Sequence, residues 1–357
     1  MPGALRLRLQ ASLVRAWTRR GPIAGLLWPV SLLFQIVVWL RRQLYAAGIF
    51  KTQSVDALVI VVGNVVVGGA GKTPTVIALV QHLQVQGRIV GVISRGYGRD
   101  GTACIEVQSD SPPHIVGDEP LLIRRATHAP VFVGHTRHEA ATTLLARHPT
   151  TEIIICDDGL QHYSLYRDLE ICVFDDSGCG NGWCLPAGPL RERWPRRAMS
   201  RVGQHPARLL TLHTGSDPAF AGYTAHRSLA PCAVRRDGAT VPLSAFSAPD
   251  ARPLAAIAAI AQPESFFSML RARGLPLDQT IALPDHYHFN SMPSIVGEGY
   301  DIICTEKDAA KLWSIAPRAW AIPLVFQPEV AFFTALDAAV AERLSAKLSS
   351  AHGHQTT

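Results

Sequence analysis

The sequence predicts an α/β fold with two domains, and three observations support this. Short, nearly continuous apolar runs such as "ALVIVV" and "TEIIIC" alternate with helical patterns, which is typical of buried parallel strands covered by helices. A glycine-rich loop follows the first of these runs. The 357 residues are enough for two cores. We place an N-terminal membrane-associated helical segment at residues 1–50, a first domain at 51–225, a second, smaller α/β domain at 226–345 and a disordered tail at 346–357.

The composition favours hidden apolar surface and an anionic partner. The chain is 48% hydrophobic and 17% charged, whereas about 25% charged residues are usual. Its formal net charge of +6 suits nucleic acid, phospholipid headgroups or a phosphorylated substrate. We expect no nucleic-acid partner, because the arginine-aromatic platforms of the usual nucleic-acid modules are missing from the sequence. The seven scattered cysteines indicate reduced thiols.

The first element is an apolar segment, Gly21–Leu40, with arginines on both sides. It is long enough to span a bilayer, but Pro29 and Gln35 interrupt it and the symmetric flanking charge gives no orientation. The preceding "ALRLRLQASLVRAWTRR" alternates arginine with apolar residues, as a basic amphipathic helix on anionic lipid does. We favour an interfacial anchor over a true span or a helix pair packed on the core.

The next element is a strand that ends in "VGNVVVGGAGKTPT", residues 62–75. The pattern G-x-x-x-x-G-K-[ST] fits except at its first glycine, where Val66 stands. The glycines allow successive backbone N–H groups to face one phosphate, Lys72 adds charge at the β- and γ-phosphates, and Thr73 offers a hydroxyl to Mg²⁺. This predicts a P-loop NTPase-like domain. We expect the nucleotide at Gly68, Gly69, Ala70, Gly71, Lys72, Thr73 and Pro74.

Two further strand ends carry charged residues. The motif "SRGYGR" follows a strand and places Arg95 and Arg99 where they would clamp phosphates. In "GDEP", Asp118 and Glu119 open an apolar helix. They act either as a helix cap that complements the helix dipole or as a carboxylate that accepts a proton from an attacking hydroxyl.

The segment "TEIIICDDGLQH" supplies the carboxylate that a P-loop enzyme needs beside its Mg²⁺. Asp157 or Asp158 fits this role, because a cation relieves the repulsion between adjacent carboxylates; an ordinary Asp-Gly corner is the alternative. Gln161 reaches either phosphate or a local turn partner. In "LPAGPLRERW", Arg191 either clamps phosphate or belongs to a solvated loop.

The second domain begins with a hairpin around Asp237–Gly238 and continues with alternating strands and helices, including "AIPLVF" as one strand. Its chemical motif is "PDHYHF", in which Asp285 and His286 follow a strand. A histidine beside a carboxylate has its protonation and orientation set for proton transfer. A satisfied polar loop is the alternative interpretation.

Taken together, "VGNVVVGGAGKTP", "SRGYGR", "GDEP", "DDGLQH", "LPAGPLRE", "PDHYHF" and "TEKDAAK" resemble the tetraacyldisaccharide 4'-kinases of Gram-negative bacteria, in family order from Val62 to Lys311. The resemblance implies two α/β/α sandwiches joined by a two-stranded linker, for which the Asp237–Gly238 hairpin is our candidate. It also implies that ATP donates its γ-phosphate to the 4'-hydroxyl of a tetraacylated glucosamine disaccharide 1-phosphate, a lipid A precursor.

The resemblance further assigns roles to individual residues. Asp118 pairs with His286, beside Asp285, to activate the acceptor hydroxyl. Asp157 and Asp158 serve Mg²⁺, and we place Glu192 of the P-L-R-E motif at the same metal site. Such an enzyme would work at the cytoplasmic face of the inner membrane as a peripheral or monotopic protein. A membrane-associated P-loop ATPase switch is the alternative, although it leaves the acid–histidine pair without a role.

Overall fold

The computed structural model describes residues 15–198, 206–285, 287–289 and 299–353. Within these residues the chain forms two β-sheets, each covered by helices, and this confirms the predicted α/β class. The basic amphipathic segment before residue 15 lies outside the described residues, and so does His286. All seven cysteines lie in the described part of the chain and are free thiols, as the sequence predicts.

The larger sheet has nine strands in the order β15-β8-β7-β6-β1-β5-β2-β4-β3. The strands from β8 through β4 in that order are parallel, while β15 and β3 pair antiparallel at its two edges. The strands are β1 (Leu58–Gly63), β2 (Val90–Ser94), β3 (Ile105–Glu106), β4 (Val131–Val133), β5 (Ile153–Asp157), β6 (Leu169–Phe174), β7 (Arg208–His213), β8 (Tyr223–Leu229) and β15 (Leu324–Pro328).

Helices cover both faces of this sheet because its strands are apolar on both sides. In β1, Leu58 and Ile60 enter one core cluster while Val59 and Val61 enter another, since successive side chains point to opposite faces. The helices around this sheet are α1 (Pro22–Ala46), α2 (Lys72–Val85), α3 (Pro113–Val116), α4 (Asp118–Thr127), α5 (Arg137–Arg147) and α8 (Val330–Gly353). We call this sheet with its helices the large lobe.

The smaller sheet has six strands in the order β10-β9-β14-β13-β11-β12. Four of them are parallel, and the predicted hairpin at Asp237–Gly238 forms the antiparallel edge. Its elements are β9 (Cys232–Val234), β10 (Thr240–Pro242), β11 (Leu254–Ala258), α6 (Pro263–Ala272), β12 (Leu277–Ala282), β13 (Asp301–Thr305), α7 (Glu306–Leu312) and β14 (Trp320–Ile322). We call this sheet with its helices the small lobe.

The connection between the two lobes corrects two predictions. The segment "AIPLVF" is two strands rather than one, because Pro323 has no N–H for a ladder: β14 ends before it in the small sheet and β15 begins after it in the large sheet. The hairpin at Asp237–Gly238 is not the linker. The chain leaves the large sheet after β8 and returns to it at β15, and these two strands pair antiparallel with each other.

The return of the chain to the large lobe bears on the domain boundaries. Phe332 and Leu336 of α8 lie in the core of the large sheet. We therefore propose that residues 324–353 belong with the large lobe, although the sequence assigns most of them to the 226–345 domain. Helix α8 continues to Gly353, so the expectation of disorder from residue 346 onward is wrong up to that point. Residues 354–357 lie outside the described part.

Helix α1 lies on the surface of the large lobe with one apolar face uncovered. It is the one helix of the described residues that is long and apolar enough to cross a membrane. Its most apolar stretch of 18 residues has a mean hydropathy of 2.1, and 11% of that stretch is buried. Leu33 is 65% exposed and Val37 is 64% exposed. The opposite face packs inward through Phe34 and through Ser31, whose Oγ donates to the Cys184 carbonyl at 2.7 Å. Helix α1 thus has one covered face and one uncovered apolar face.

We expect charges on the outer face of α1 to weaken membrane binding without unfolding the protein. The double variant Leu33→Asp/Val37→Asp should move from the pellet to the supernatant when vesicles of anionic phospholipid are sedimented. Its free energy of unfolding should change by no more than about 0.5 kcal/mol, because both positions are on the surface. Val85→Asp, at the exposed end of α2, is the matched control. Full sedimentation of the double variant would contradict an anchoring role for this face.

Candidate active site

The glycine-rich loop joins β1 to α2 at the carboxyl edge of the large sheet. Gly68 has φ of 125° and Gly71, the N-cap of α2, has φ of 81°, which are conformations that favour glycine. A Cβ at Gly71 would also overlap the Arg227 guanidinium. Val66, at the place of the missing glycine, is buried and forms a backbone bridge with Leu190. The loop therefore keeps its turn through the later glycines.

Lys72 and the two carboxylates meet directly in front of this loop. The Lys72 Nζ lies 3.1 Å from Asp158 Oδ2 and donates to Asn64 Oδ1 at 3.4 Å. Asp157 ends β5, and its Oδ2 accepts from Ser94 Oγ at 3.3 Å. The strand order places β5 between β1 and β2, so the carboxyl ends of three neighbouring strands supply these groups.

The electrostatics of the two aspartates differ although they are adjacent. Burial, together with the charge of the neighbouring Asp158, raises the pKa of Asp157 to about 6. Burial acts in the same direction on Asp158, but the charges of Lys72 and Arg191 outweigh it and lower that pKa. Asp158 is thus the charged partner of the lysine, while the charge on Asp157 lacks sufficient compensation. A cation at this place would relieve it.

The carboxylates fit a Mg²⁺ site of the kind that phosphate substrates complete. No group of three or more His, Cys, Asp or Glu side chains that could hold a metal ion occurs within the described ranges. Mg²⁺ in phosphoryl-transfer enzymes is usually bound by one or two carboxylates, with phosphate and water oxygens as the other ligands. Asp157, Asp158 and Thr73 line one cavity and could supply the protein's share.

That cavity lies between the two lobes and has a volume of about 1650 Å³. Most of the residues that the sequence singles out line it: Gly68, Gly69, Gly71, Lys72, Thr73, Pro74, Arg95, Asp157, Asp158, Gln161, Arg191 and Asp285. Ala70, Arg99, Asp118 and Glu192 are not part of the lining. Ala70 is buried and contributes its carbonyl to Thr214. Arg99 packs back over Gly96 of its own loop.

The structure contradicts the placement of Glu192 at the metal site. Its carboxylate is 2% exposed and accepts from four groups on other parts of the large lobe. These donors are Arg42 at 3.2 Å, Arg196 at 2.8 Å, Gln161 at 3.0 Å and the Tyr163 hydroxyl at 3.1 Å. Two guanidinium partners already compensate its charge, so Glu192 holds the loop in place and offers no free oxygen to a cation.

The neighbouring residues Arg191, Gln161 and His162 differ in what they contact. Arg191 faces the cavity, with its Nη1 3.5 Å from Asp158 Oδ1. Gln161 uses its amide nitrogen on the Asn64 carbonyl and on Glu192, so it serves its own loop although it borders the cavity. His162 is held neutral, because burial and the nearby arginines lower its pKa to about 4.

The GDEP motif and the second lobe meet through lysines. Asp118 is 7% exposed, and its Oδ2 lies 2.5 Å from the Lys311 Nζ. Lys307 lies 2.8 Å from Glu119 and 3.2 Å from Asp285. Asp118 and Asp285 therefore come together with the "TEKDAAK" segment at one place between the lobes. His286 lies outside the described residues, so its predicted pairing with Asp118 stays a prediction.

Sequence reasoning missed several basic residues of the site. Arg137 of α5 is 3% exposed and donates to the carbonyls of Asp157 and Asp158, each at 3.2 Å, and so fixes the turn that carries them. Arg227 of β8 contacts Thr214 beside the glycine loop. Nothing in the local sequence marks either arginine. Lys307 and Lys311, by contrast, lie inside a quoted motif to which no role had been given.

Comparison with known proteins agrees with this arrangement. The family model of the tetraacyldisaccharide-1-P 4'-kinases (LpxK) matches residues 23–345. The tetraacyldisaccharide 4'-kinase of Polaromonas naphthalenivorans is 53% identical over 97% of this chain and 99% of its own length. The protein of that name from an Acidovorax species is 50% identical over 98% of both chains.

A solved structure shares the fold as well. It is the "apo" form of LpxK from Aquifex aeolicus in complex with ATP, with a TM-score of 0.73 and 26% sequence identity. The similarity covers 89% of this chain and 98% of that one. The family model matches nearly the whole chain, and relatives that are about 50% identical match 96% or more of it. The chain therefore belongs to the tetraacyldisaccharide-1-P 4'-kinase family.

Proposed function

We propose that this chain transfers the γ-phosphate of ATP to the 4'-hydroxyl of a tetraacyl disaccharide 1-phosphate, a step of lipid A biosynthesis, with the cavity between its lobes as the active site. Family membership supports the kinase activity, and the ATP named in the Aquifex aeolicus complex supports the nucleotide. The observation that carries the proposal is the convergence of the glycine loop, Lys72 and the Asp157–Asp158 pair in one cavity.

The glycine loop and the start of α2 bind the triphosphate. Backbone N–H groups from Gly68 to Thr73 face the phosphates, and the positive end of the helix dipole adds to their attraction. The Lys72 ammonium exchanges part of its contact with Asp158 for the β- and γ-phosphates. Arg191, on the opposite side of Asp158, supplies a second cation at the transferred group. Phosphoryl transfer depends mainly on such positioning and charge neutralisation.

Asp118 and His286 activate the acceptor. The 4'-oxygen attacks the γ-phosphorus, the bond from that phosphorus to the β,γ-bridging oxygen breaks, and ADP leaves with that oxygen. The hydroxyl proton passes to the carboxylate–imidazole pair as the new P–O bond forms. Asp118 pairs with Lys311 of α7, and Glu119 and Asp285 pair with Lys307 of the same helix, which brings the GDEP motif to the second lobe.

Mg²⁺ completes the proposed site. Asp157 and Asp158 would hold it with the Thr73 hydroxyl, and the bound ion would neutralise charge on the phosphate oxygens. The carboxyl group of Asp157 is suited to this task because its charged form is poorly compensated by the protein itself.

The anchor helix accounts for access to a lipid. A tetraacylated acceptor stays in the bilayer, so the cavity has to work at the membrane surface. The uncovered apolar face of α1 supports a peripheral or monotopic protein at the cytoplasmic face of the inner membrane, where ATP is present. An ATPase switch would need neither the lipid nor the acid–histidine pair, and the family assignment favours the kinase.

Loss of the loop lysine should abolish most of the phosphoryl transfer. We expect Lys72→Ala to lower kcat by about 100- to 1,000-fold, because a preorganised charge at the transferred phosphate is removed. The measurement is transfer of label from γ-labelled ATP to the disaccharide lipid in mixed micelles. Lys51→Ala, an exposed lysine outside the cavity, is the control and should match the parent. Equal rates for Lys72→Ala and the parent would contradict the role assigned to the glycine loop in phosphate binding.

Replacement of Asp157 should abolish most of the phosphoryl transfer and raise the free energy of unfolding. Its pKa of about 6 lies above the ordinary 3.8, so the folded state binds the proton more tightly and loses stability as the pH rises from about 4 to 6. An asparagine at position 157 carries no charge and therefore avoids this loss of stability. We expect Asp157→Asn to be nearly inactive but more stable than the parent by about 2 to 3 kcal/mol at pH 8, with a smaller difference at pH 5.

Thermal unfolding at both pH values, with and without Mg²⁺ and ADP, measures this effect. Mg²⁺ with ADP should raise the Tm of the parent more than that of Asp157→Asn, because the variant lacks one proposed ligand. The exposed Asp250→Asn serves as the control. An Asp157→Asn variant that is less stable than the parent at pH 8, or equally stabilised by Mg²⁺ and ADP, would refute the role assigned to this carboxylate.

A further inference from the structure

We propose that Lys311, assisted by Lys307, is a positioning residue that clamps the small lobe onto the GDEP motif and so holds the Asp118 carboxylate against the loop segment of Asp285 and Tyr287. This inference rests on the proposed function, because it explains how that site is assembled. It gives a role to the "TEKDAAK" segment, residues 305–311, which the mechanism above leaves without one.

The two lysines are presented by a rigid part of the small lobe. They are four residues apart on α7, so both project from one face of the helix. The first turn is fixed by the Thr305 Oγ1, which accepts from the Asp308 N–H at 3.2 Å. The Asp308 carboxylate in turn accepts from the Ala259 N–H at the end of β11 at 3.0 Å. The helix therefore moves with the small sheet.

Lys311 joins the catalytic carboxylate to the loop that carries the histidine. Its Nζ lies 2.5 Å from Asp118 Oδ2 and donates to the Tyr287 carbonyl at 3.3 Å. The side chains of Lys311 and Asp118 are 14% and 6% exposed. An ion pair this well buried is screened by salt less than a surface pair is.

Lys307 makes the corresponding contact on the other side of the same loop. Its Nζ lies between Glu119 of the GDEP motif, at 2.8 Å, and Asp285, at 3.2 Å. The pKa of Lys307 is raised, because these two carboxylates outweigh the opposite effect of its burial. The lysine is therefore held as a cation between one acidic group from each lobe.

The two contacts bracket position 286. Asp285 is held by Lys307 and Tyr287 by Lys311, and both chain neighbours of His286 are thus tied to the helix whose lysines also hold Asp118 and Glu119. The clamp therefore holds Asp118, Asp285 and Tyr287 against the same helix.

The test compares Lys311→Met with Lys311→Arg and the parent. Methionine keeps the length of the side chain and removes its charge, whereas arginine retains the charge and the donors. We expect kcat at saturating ATP and lipid to fall about 10- to 100-fold in Lys311→Met, the KM for ATP to change less than about twofold, and Lys311→Arg to recover part of the loss. Lys307→Met should show a smaller fall of the same kind.

Amide hydrogen exchange on the same proteins reports the clamp without reference to activity. Exchange should become faster in residues 118–127 and 284–289 of Lys311→Met, while α2 and the large sheet stay protected. Arg208→Met removes an exposed ion pair to Glu342, remote from the cavity, and should leave both readouts unchanged. Thermal unfolding checks that each variant is folded.

The outcomes separate this inference from the proposed function. An unchanged or higher kcat in Lys311→Met would overturn it, and so would a lower kcat without faster exchange in the two segments or with a matching rise in the KM for ATP. If the parent itself transfers no phosphate to the lipid, the proposed function fails, and the exchange data alone decide whether the clamp exists.

Discussion

Charge compensation in a buried cleft is the constraint on which this structure depends. Two carboxylates end β5 side by side, and the protein supplies enough cations for one of them: Lys72 and Arg191 face Asp158, while Asp157 keeps a raised pKa. Arg137 donates to the backbone carbonyls of both aspartates. A buried carboxylate with too little positive charge around it is one that a bound cation would neutralise.

The same region links helix α1 to the glycine loop. The loop of residues 180–197 lies between them: the Cys184 carbonyl accepts from Ser31 of α1, and the Pro189 carbonyl accepts from the Val67 N–H at 2.9 Å. Behind it, Arg196 pairs with Glu170 and Glu192 in a fully buried network. A buried network of this kind holds position well, because any displacement leaves a charge unpaired.

Much of the fold was accessible from the sequence, because buried parallel strands and glycine stops leave strong local signals. β1, β5 and β6 and the helix that ends before Gly87 lie where the apolar runs predict them. What local patterns could not supply were contacts between distant segments. The sequence does not show that Arg42 and Arg196 pair with Glu192. It also contains no local pattern that indicates the contact of Arg137 with the two aspartates. The split at Pro323 required knowledge of which sheet each half joins.

The antiparallel pair of β8 and β15 also shows how the small lobe is connected to the large lobe. Leu229 and Leu324 are register partners on adjacent strands, and everything between them forms the small lobe. The chain therefore leaves the large sheet and returns to it at two paired residues on neighbouring strands. The small lobe is in effect an insertion into an otherwise continuous P-loop domain, and a short turn from residue 229 to residue 324 would close the parent sheet without it.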